Sequence, residues 1–465
     1  MIIINRLGGT LMATTRIENA KAIVTVDQND TVIFDGSLLI EDNVIKYIGK
    51  EKKDADYVID AKGCYIYPGL INTHHHLYQT FTRNLPQVQN MELFEWLVTL
   101  YEIWRGLNND CIYYSTLTGI GELAKYGCTT CMDHHYVFPK AGSDEFIDRQ
   151  FQAADQIGMR FHATRGSMSR GKSDGGLPPD DLVQSVDKIL SDSERLVKKY
   201  HDASKFAMHK VSLAPCSPFS VTTELLKQSA VLARHLGVRL HTHLCETKDE
   251  ERYCLETVGM RPLDYMRECG WVGPDVWYAH GIYFNDEELK VLAETDTGVA
   301  HCPVSNMKLA SGVCRIPDML SLGVPVGLAV DGSASNDCSN LMAEIRASYL
   351  VNRLTYSNVA PTGYDILKLA TAGSAKVLGR SDIGSLEAGK AADLFMIDVD
   401  ILELAGTYLD PACLLGTVGY SRPAKMVMAN GKVIVKDGQL TGIDEKQVFE
   451  KSNALVGDML RKVMQ

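Results

Sequence analysis

The stretch YPGLINTHHHLYQTFTRNLP, residues 67–86, sets three consecutive histidines at the end of an apolar run. Residues 64–71 (CYIYPGLI) read as a buried strand, and side chains along a strand alternate between its two faces. His74 and His76 therefore point to one side and His75 to the other. Two imidazoles converging from a strand end suit a transition metal. For an isolated pair, a surface or core histidine cluster is the plainer reading, so the rest of the chain has to decide.

Outward from that stretch, short apolar runs alternate with amphipathic segments. The runs cover residues 64–76, 128–135, 160–166, 208–219, 238–246, 276–282, 298–306 and 325–333, eight in all. Between them, segments such as DCIYYSTLTGIGELAKYG and TTELLKQSAVLARHLG repeat apolar residues every three to four positions, the helical period. Eight strands alternating with helices predict an α/β chain of the (β/α)8 TIM-barrel type over residues 67–385, with the chemistry at the C-terminal strand ends. Polar and titratable residues fall at those ends: His74, His76, His134, Arg165 and Cys216, then His243, His280, Asn306 and Asp331. Residues 16–63 and 391–440 instead show strand alternation with N-D, D-G and N-G turn signals. They predict a small β-sandwich domain assembled from residues 1–66 and 386–465. The chain contains no internal repeat or low-complexity tract.

The composition narrows the class of function. Of 465 residues, 45% are hydrophobic and 23% charged, the balance of a soluble globular protein. The formal charge of −11 comes without a basic run that could track phosphates, which excludes nucleic acid and favours a small neutral solute. The opening MIIINRLGGTLMATT lacks a basic n-region, and its apolar run is too short for a signal peptide or a span. It reads as a strand or a poorly ordered leader, with no membrane association. Twelve cysteines scattered through so large a chain read as reduced, mostly buried thiols of a cytoplasmic protein. In the one C-x-x-C, Cys128 and Cys131 sit three apart in an apparent strand and so face opposite sides, which disfavours a redox pair.

The remaining metal ligands follow from chemistry. In HTHLCE, His241 and His243 share a face, but His243 is closer to the rim, so it is the ligand and His241 a lower-layer barrel residue. AVDGS places Asp331 at the eighth strand end, followed by Gly332, where backbone can approach a ligand closely. His74, His76, His243 and Asp331 make a mononuclear site for one divalent metal, zinc first and iron second, with a position left for water. Such a metal brings the pKa of water from roughly 15.7 to about 7, so hydroxide is the expected nucleophile. A second metal would call for a lysine at the end of strand four. APCSPF has none, and Lys210 stands at that strand's beginning. Glu246, three residues beyond His243, is placed to shuttle a proton, and His280 to orient the water or polarise the group under attack.

With these residues assembled, the chain resembles the amidohydrolase superfamily over essentially its whole length. The resemblance rests on PGLINTHHH, HTHLCE, WYAHG, HCPVSNMKLASG, AVDGSASND and GSLEAGKAADL. It is similar to the branch that deaminates purines, pyrimidines and s-triazines with one zinc or iron. That resemblance implies the same four ligands, with Glu246 donating a proton to the heterocycle and His280 and Asp331 handling the protons of water and departing ammonia. Within the branch, HHHLYQTFTRNLP, ELFEWLVTLYEIW, DHHYVFP, RFHATRGSMSRGKSDGGLPPDDLV and LAPCSPFSVT resemble the bacterial 8-oxoguanine deaminases. These stretches build rim loops, so they bear on substrate choice. Cys131 and Cys245 depart from that group.

The implied reaction is hydrolytic deamination of 8-oxoguanine at C2 to urate and ammonia. Rival readings are deamination of guanine, isoxanthopterin or another pterin or purine, an s-triazine amino- or chlorohydrolase, hydrolysis of a cyclic amide, and a non-catalytic barrel protein. For substrate contacts the candidates are Gln79, whose amide can both donate and accept on a purine edge, then Glu246, His280 and Asn306. Arg83 and Arg165 are weaker candidates for an exocyclic oxygen. One of His134 and His135 is expected in the pocket. The expected partner is a small heterocycle, and the resemblance implies a homo-oligomer.

Overall fold

The computed structural model describes residues 13–140 and 142–463. The opening stretch read as a strand or leader therefore lies largely outside the described residues. The eight expected barrel strands all form, as Leu70–Asn72, Cys128–Asp133, Arg160–Ser167, His209–Pro215, Leu240–Leu244, Val276–His280, Gly298–His301 and Val326–Leu328. Each pairs in parallel with the next, in chain order. Consecutive parallel strands need crossovers, and the amphipathic segments supply them as helices such as Asn109–Lys125, Thr223–Leu236 and Asp286–Glu294.

The strands are shorter than the apolar runs, for local reasons. Residues 303–306, expected to extend the seventh strand, are the start of a helix, Pro303–Lys308, with proline at its first turn, where the missing N–H costs nothing. The run 64–76 is two strands. Cys64–Pro68 pairs antiparallel with Leu394–Asp398 in the other sheet, while Leu70–Asn72 opens the barrel. The break is at Gly69, where a Cβ would lie 2.2 Å from the Thr129 hydroxyl oxygen, so only glycine lets the chain pass.

The first and eighth strands close the ring through side chains as well as backbone. Leu328 O accepts from Thr73 N at 3.3 Å and from Thr73 Oγ1 at 3.0 Å. Asn72 Oδ1 accepts from Val330 N at 2.9 Å, and Asn72 Nδ2 donates to His74 O at 3.1 Å.

The flanking segments form one connected nine-stranded mixed sheet. Thr14–Val24 lies between Val32–Glu41 and Cys64–Pro68, and Leu394–Asp398 joins that N-terminal part to Met426–Ala429 and Lys432–Lys436. Its own apolar cluster includes Ile17, Ile23, Leu38, Leu394, Met396 and Met428. The last helix, Glu445–Val463, leaves this sheet and packs on the barrel helix Asn109–Lys125, with Lys125 paired to Glu445 at 2.5 Å. All twelve cysteines are free thiols, ten of them buried.

One buried ion pair fastens the terminal sheet to the barrel floor. Arg160 begins the third barrel strand at 0% exposure, and its guanidinium meets the carboxylate of Asp393, 3% exposed, which also accepts from Asn430 N at 2.5 Å. Removing one partner of a buried pair strands the other charge away from water. Asp393→Ala should therefore lower unfolding free energy by about 3–5 kcal/mol, and adding Arg160→Met should recover part of the loss. Denaturant titration of the three proteins checks this, and an additive double variant would contradict it.

Candidate active site

The strand ends turn sharply as they reach the rim. Cys245, His280 and Asp331 all take left-handed backbone, with φ of 54°, 74° and 61°. Such conformations cost non-glycine residues roughly 1–3 kcal/mol and persist only where the surroundings impose them. Here they turn the chain at the last ladder residue, His280, and beyond the eighth strand, at Asp331, so that both side chains reach the mouth.

Burial holds three histidines of this mouth below their ordinary pKa, with His243 pushed down to about 3 and His74 and His76 also lowered. Neutral imidazoles have one bare nitrogen each, and the hydrogen bonds show which. His76 Nδ1 donates to His134 O at 2.6 Å, and His243 Nδ1 donates to Cys216 O at 2.5 Å. A carbonyl can only accept, so Nε2 of both rings is a lone pair. These two nitrogens lie 3.1 Å apart with no proton between them. His74 Nε2, buried without a protein hydrogen-bond partner, and His76 Nε2 lie 3.2 and 3.3 Å from Asp331 Oδ1. Four ligands about 2.0–2.1 Å from a tetrahedral zinc would be roughly 3.3–3.4 Å from one another. Lone pairs facing at this distance repel unless a cation takes them both, so the donor set fits a divalent metal.

Burial opposes a charge on Asp331, but the neighbouring His74, His280 and His76 hold its carboxyl well below the usual range. Its Oδ2 also accepts from Ser305 Oγ at 2.6 Å and its Oδ1 from Gly332 N at 2.6 Å. Burial pushes Glu246 up to about 7. Its Oε2 lies 3.5 Å from His280 Nε2, which is 3.9 Å from Asp331 Oδ2. Burial works against charge on His280, yet the carboxylates of Glu246 and Asp331 raise its pKa above the ordinary value. His280 Nδ1 meets Asn306 Oδ1 at 2.9 Å, which aims Nε2 at the two carboxylates.

A cavity opens over these groups. His76, His243, Glu246, His280 and Asp331 form its floor, and Leu93, Trp96, Leu97, Phe219 and Leu309 its apolar walls. Gln79 also lines it, with Oε1 accepting from Ala334 N at 3.4 Å and Nε2 buried without a partner. Trp96 Nε1, on the helix Leu93–Trp104, is likewise buried and unpartnered.

Several expected roles move. Asn306, expected at the substrate, holds His280 Nδ1 through its amide oxygen, keeps its Nδ2 without a protein partner and is not among the residues lining the cavity. Arg83 is engaged by Glu122, Ser333 and Ser339, and Arg165 by Asp192 and Gln184 over the Phe138 ring, so neither lines the cavity. His134 is the pocket-side member of its pair, its ring 4.9 Å from that of His243, while His135 Nε2 is bound to Val137 O at 2.8 Å. His75 points away onto Ser339 Oγ at 2.9 Å, as strand alternation required. Lys210, half-buried, remains at the base of the fourth strand.

Trp96 and Asp133 were not singled out by the sequence. Asp133, buried and pushed up to about 7, accepts from Leu77 N at 2.6 Å and so fixes the turn that follows His76. Its position directly before His134 at a strand end was the available signal. For Trp96 there was no such signal, because its helix, Leu93–Trp104, carries a second tryptophan at Trp104.

The amidohydrolase family profile matches residues 65–434. The chain is 44% identical to an 8-oxoguanine deaminase of Pseudomonas aeruginosa, over 97% of this chain and 100% of that protein. It is 41% identical to a hydroxydechloroatrazine ethylaminohydrolase of a Pseudomonas species, over 96% of this chain and 95% of the other. The solved structure of an atrazine chlorohydrolase from Arthrobacter aurescens complexed with zinc superposes with a TM-score of 0.92 at 33% identity, covering 95% of this chain and all of that one. A match over most of the barrel, joined to whole-length likeness with hydrolases of amino- and chloro-substituted rings, settles the kinship: this chain belongs to the amidohydrolase family and is a hydrolase.

Proposed function

We propose that this enzyme is a metal-dependent aminohydrolase that converts 8-oxoguanine and water to urate and ammonia. The observation that carries the metal is the pair of bare nitrogens, His76 Nε2 and His243 Nε2, facing each other at 3.1 Å. His74, His76, His243 and Asp331 are the ligands, and three neutral imidazoles with one carboxylate suit zinc. When bound, the metal supplies Lewis acidity that brings the pKa of water from roughly 15.7 to about 7.

The protein's own groups then manage protons. Adding water oxygen to C2 breaks the aromaticity of the pyrimidine ring, and a carboxyl that titrates near 7 can protonate a ring nitrogen as that happens. Glu246 is that group. His280 and Asp331 take the proton of water and return it to the amine, so that the C2–N bond breaks with loss of neutral ammonia. The substrate reading is supported by the 44% identity to the 8-oxoguanine deaminase and by two free donors in the cavity, Gln79 Nε2 and Trp96 Nε1. An indole N–H can only donate, so it requires an acceptor on the ligand, as an oxo group provides. A second reading, an alkylamino-substituted hydroxytriazine, is favoured by the 41% identity to the ethylaminohydrolase. Thiols that are all reduced fit a cytoplasmic enzyme. Among the described residues no helix is long and apolar enough to cross a membrane.

Ammonia release from 8-oxoguanine, guanine, isoxanthopterin and an ethylamino hydroxytriazine, by protein of known zinc content, tests the reading. Turnover of 8-oxoguanine with the highest kcat/KM is expected, and silence on it from zinc-replete protein would overturn the assignment. Glu246→Gln should keep its zinc and lose at least about 10² in kcat. A variant as fast as the parent would remove Glu246 from the chemistry. Trp96→Phe keeps the wall but removes the donor, and should cost about 1–2 kcal/mol, or roughly 5- to 30-fold, in kcat/KM for 8-oxoguanine. An unchanged steady-state constant would show that the indole N–H contacts no substrate atom.

A further inference from the structure

Of the three imidazoles that converge at the mouth, two are fixed by the main chain. His76 donates to His134 O and His243 to Cys216 O, and no substitution can take a carbonyl away. His74 is different: its Nδ1 meets a side chain, Nε2 of His241, at 2.8 Å. Both residues are 0% exposed, so no water competes for the contact.

Two ring nitrogens at that distance share one proton, and the far end of His241 decides which of them carries it. His241 Nδ1 lies 3.0 Å from the carbonyl oxygen of Trp277, which can only accept. The proton of neutral His241 is therefore on Nδ1 and its Nε2 is an acceptor. His74 Nδ1 must then carry the shared proton, and His74 Nε2 is left as a bare lone pair 3.2 Å from Asp331 Oδ1. A half-turn of the His241 ring would keep its stack on the Trp277 indole, at 4.5 Å and 24°, but would put carbons where the two bonded nitrogens stand.

We propose that His241 is a positioning residue: it sets the tautomer and the ring plane of His74 so that Nε2 is offered to the metal. The inference rests on the ligand set proposed above. His241 is one strand period below His243 and reaches only the rear of His74, so it is not a spare ligand. The choice of an imidazole acceptor also has an electrostatic effect. Ligating histidines commonly donate to a carboxylate, a carbonyl or water. A carboxylate behind His74 would add negative charge to a mouth that already holds Asp331 and Glu246. A neutral ring fixes His74 equally well and leaves more of the metal's positive charge to act on water.

Two variants of the full-length protein separate the hydrogen bond from the packing. In His241→Gln the side-chain oxygen can occupy the place of Nε2 and accept from His74, whereas His241→Leu fills the space with no acceptor. Zinc affinity, read by competition with a chromogenic chelator, should fall about 10- to 100-fold in the leucine variant and stay within about threefold of the parent in the glutamine variant. A leucine variant with parental affinity would overturn the proposal, and so would a glutamine variant as weak as the leucine one. Should the leucine variant fail to fold, nitrogen-15 NMR of histidine-labelled parent protein decides: Nδ1–H on both His74 and His241 is expected, and Nε2–H on His241 overturns the inference. Parent protein that binds no zinc would instead remove the ligand set, while the tautomers of the metal-free chain would still judge His241.

Discussion

The closure of the barrel between its first and eighth strands is the constraint on which the site depends. The first strand is three residues long and the eighth is three residues long, too short for an extensive ladder. Asn72 and Thr73 supply the missing bonds from their side chains, and Asp331 N then donates to His74 O at 3.2 Å. That last bond sets the Asp331 carboxylate beside two imidazoles from the opposite end of the barrel sequence. A shift of one residue at this seam would turn Asp331 to the other face and take its carboxylate away from His74 and His76.

Around that seam the electrostatics are arranged in depth. Desolvation keeps the converging histidines neutral, which leaves lone pairs where a cation can use them. It also raises Glu246, while Asp331, hydrogen-bonded by Ser305, Ser335 and Gly332, stays ionised. Two buried carboxyl groups near the same histidine thus differ in protonation because one is surrounded by donors and the other is not. Hydrolysis of an aromatic amine needs such a difference, since one group must give a proton while the other holds charge.

How much of this was legible follows from what alternation and period can encode. A two-residue period places a side chain on a face, which was enough to put His74 and His76 together, to turn His75 away and to read eight strands. It does not encode depth. His241 was read as a lower-layer residue, but that its ring touches His74 depends on the separation of the first and fifth strands across the barrel. Strand ends were overextended because the rim residues continue the apolar pattern after the backbone has left the ladder, as at Cys302–Pro303 and at Asp331. Asn306 was assigned to substrate because its amide chemistry suits a purine edge, and a nearer histidine claimed it. Trp96 was beyond reach because nothing local says that the helix Leu93–Trp104 lies over the mouth.

Trp96 matters most for the identity of the substrate. The floor of the cavity is built from barrel strand ends, and relatives named for a purine, a pterin and a triazine share the chain from end to end at 32–44% identity. A fold shared by proteins named for such different rings does not by itself choose the ring. If discrimination falls to groups above the floor, the buried donors without a protein partner among the cavity's lining residues are the Gln79 amide, from the loop after the first strand, and the Trp96 indole, from the helix beyond it. A pocket that offers unpaired N–H groups between apolar walls penalises a ligand with no acceptor to meet them, because each buried donor left unpaired costs about 1–3 kcal/mol. An electron-poor ring bearing an oxo group away from the reacting carbon meets that requirement, and a ring that presents only hydrogen or alkyl there does not.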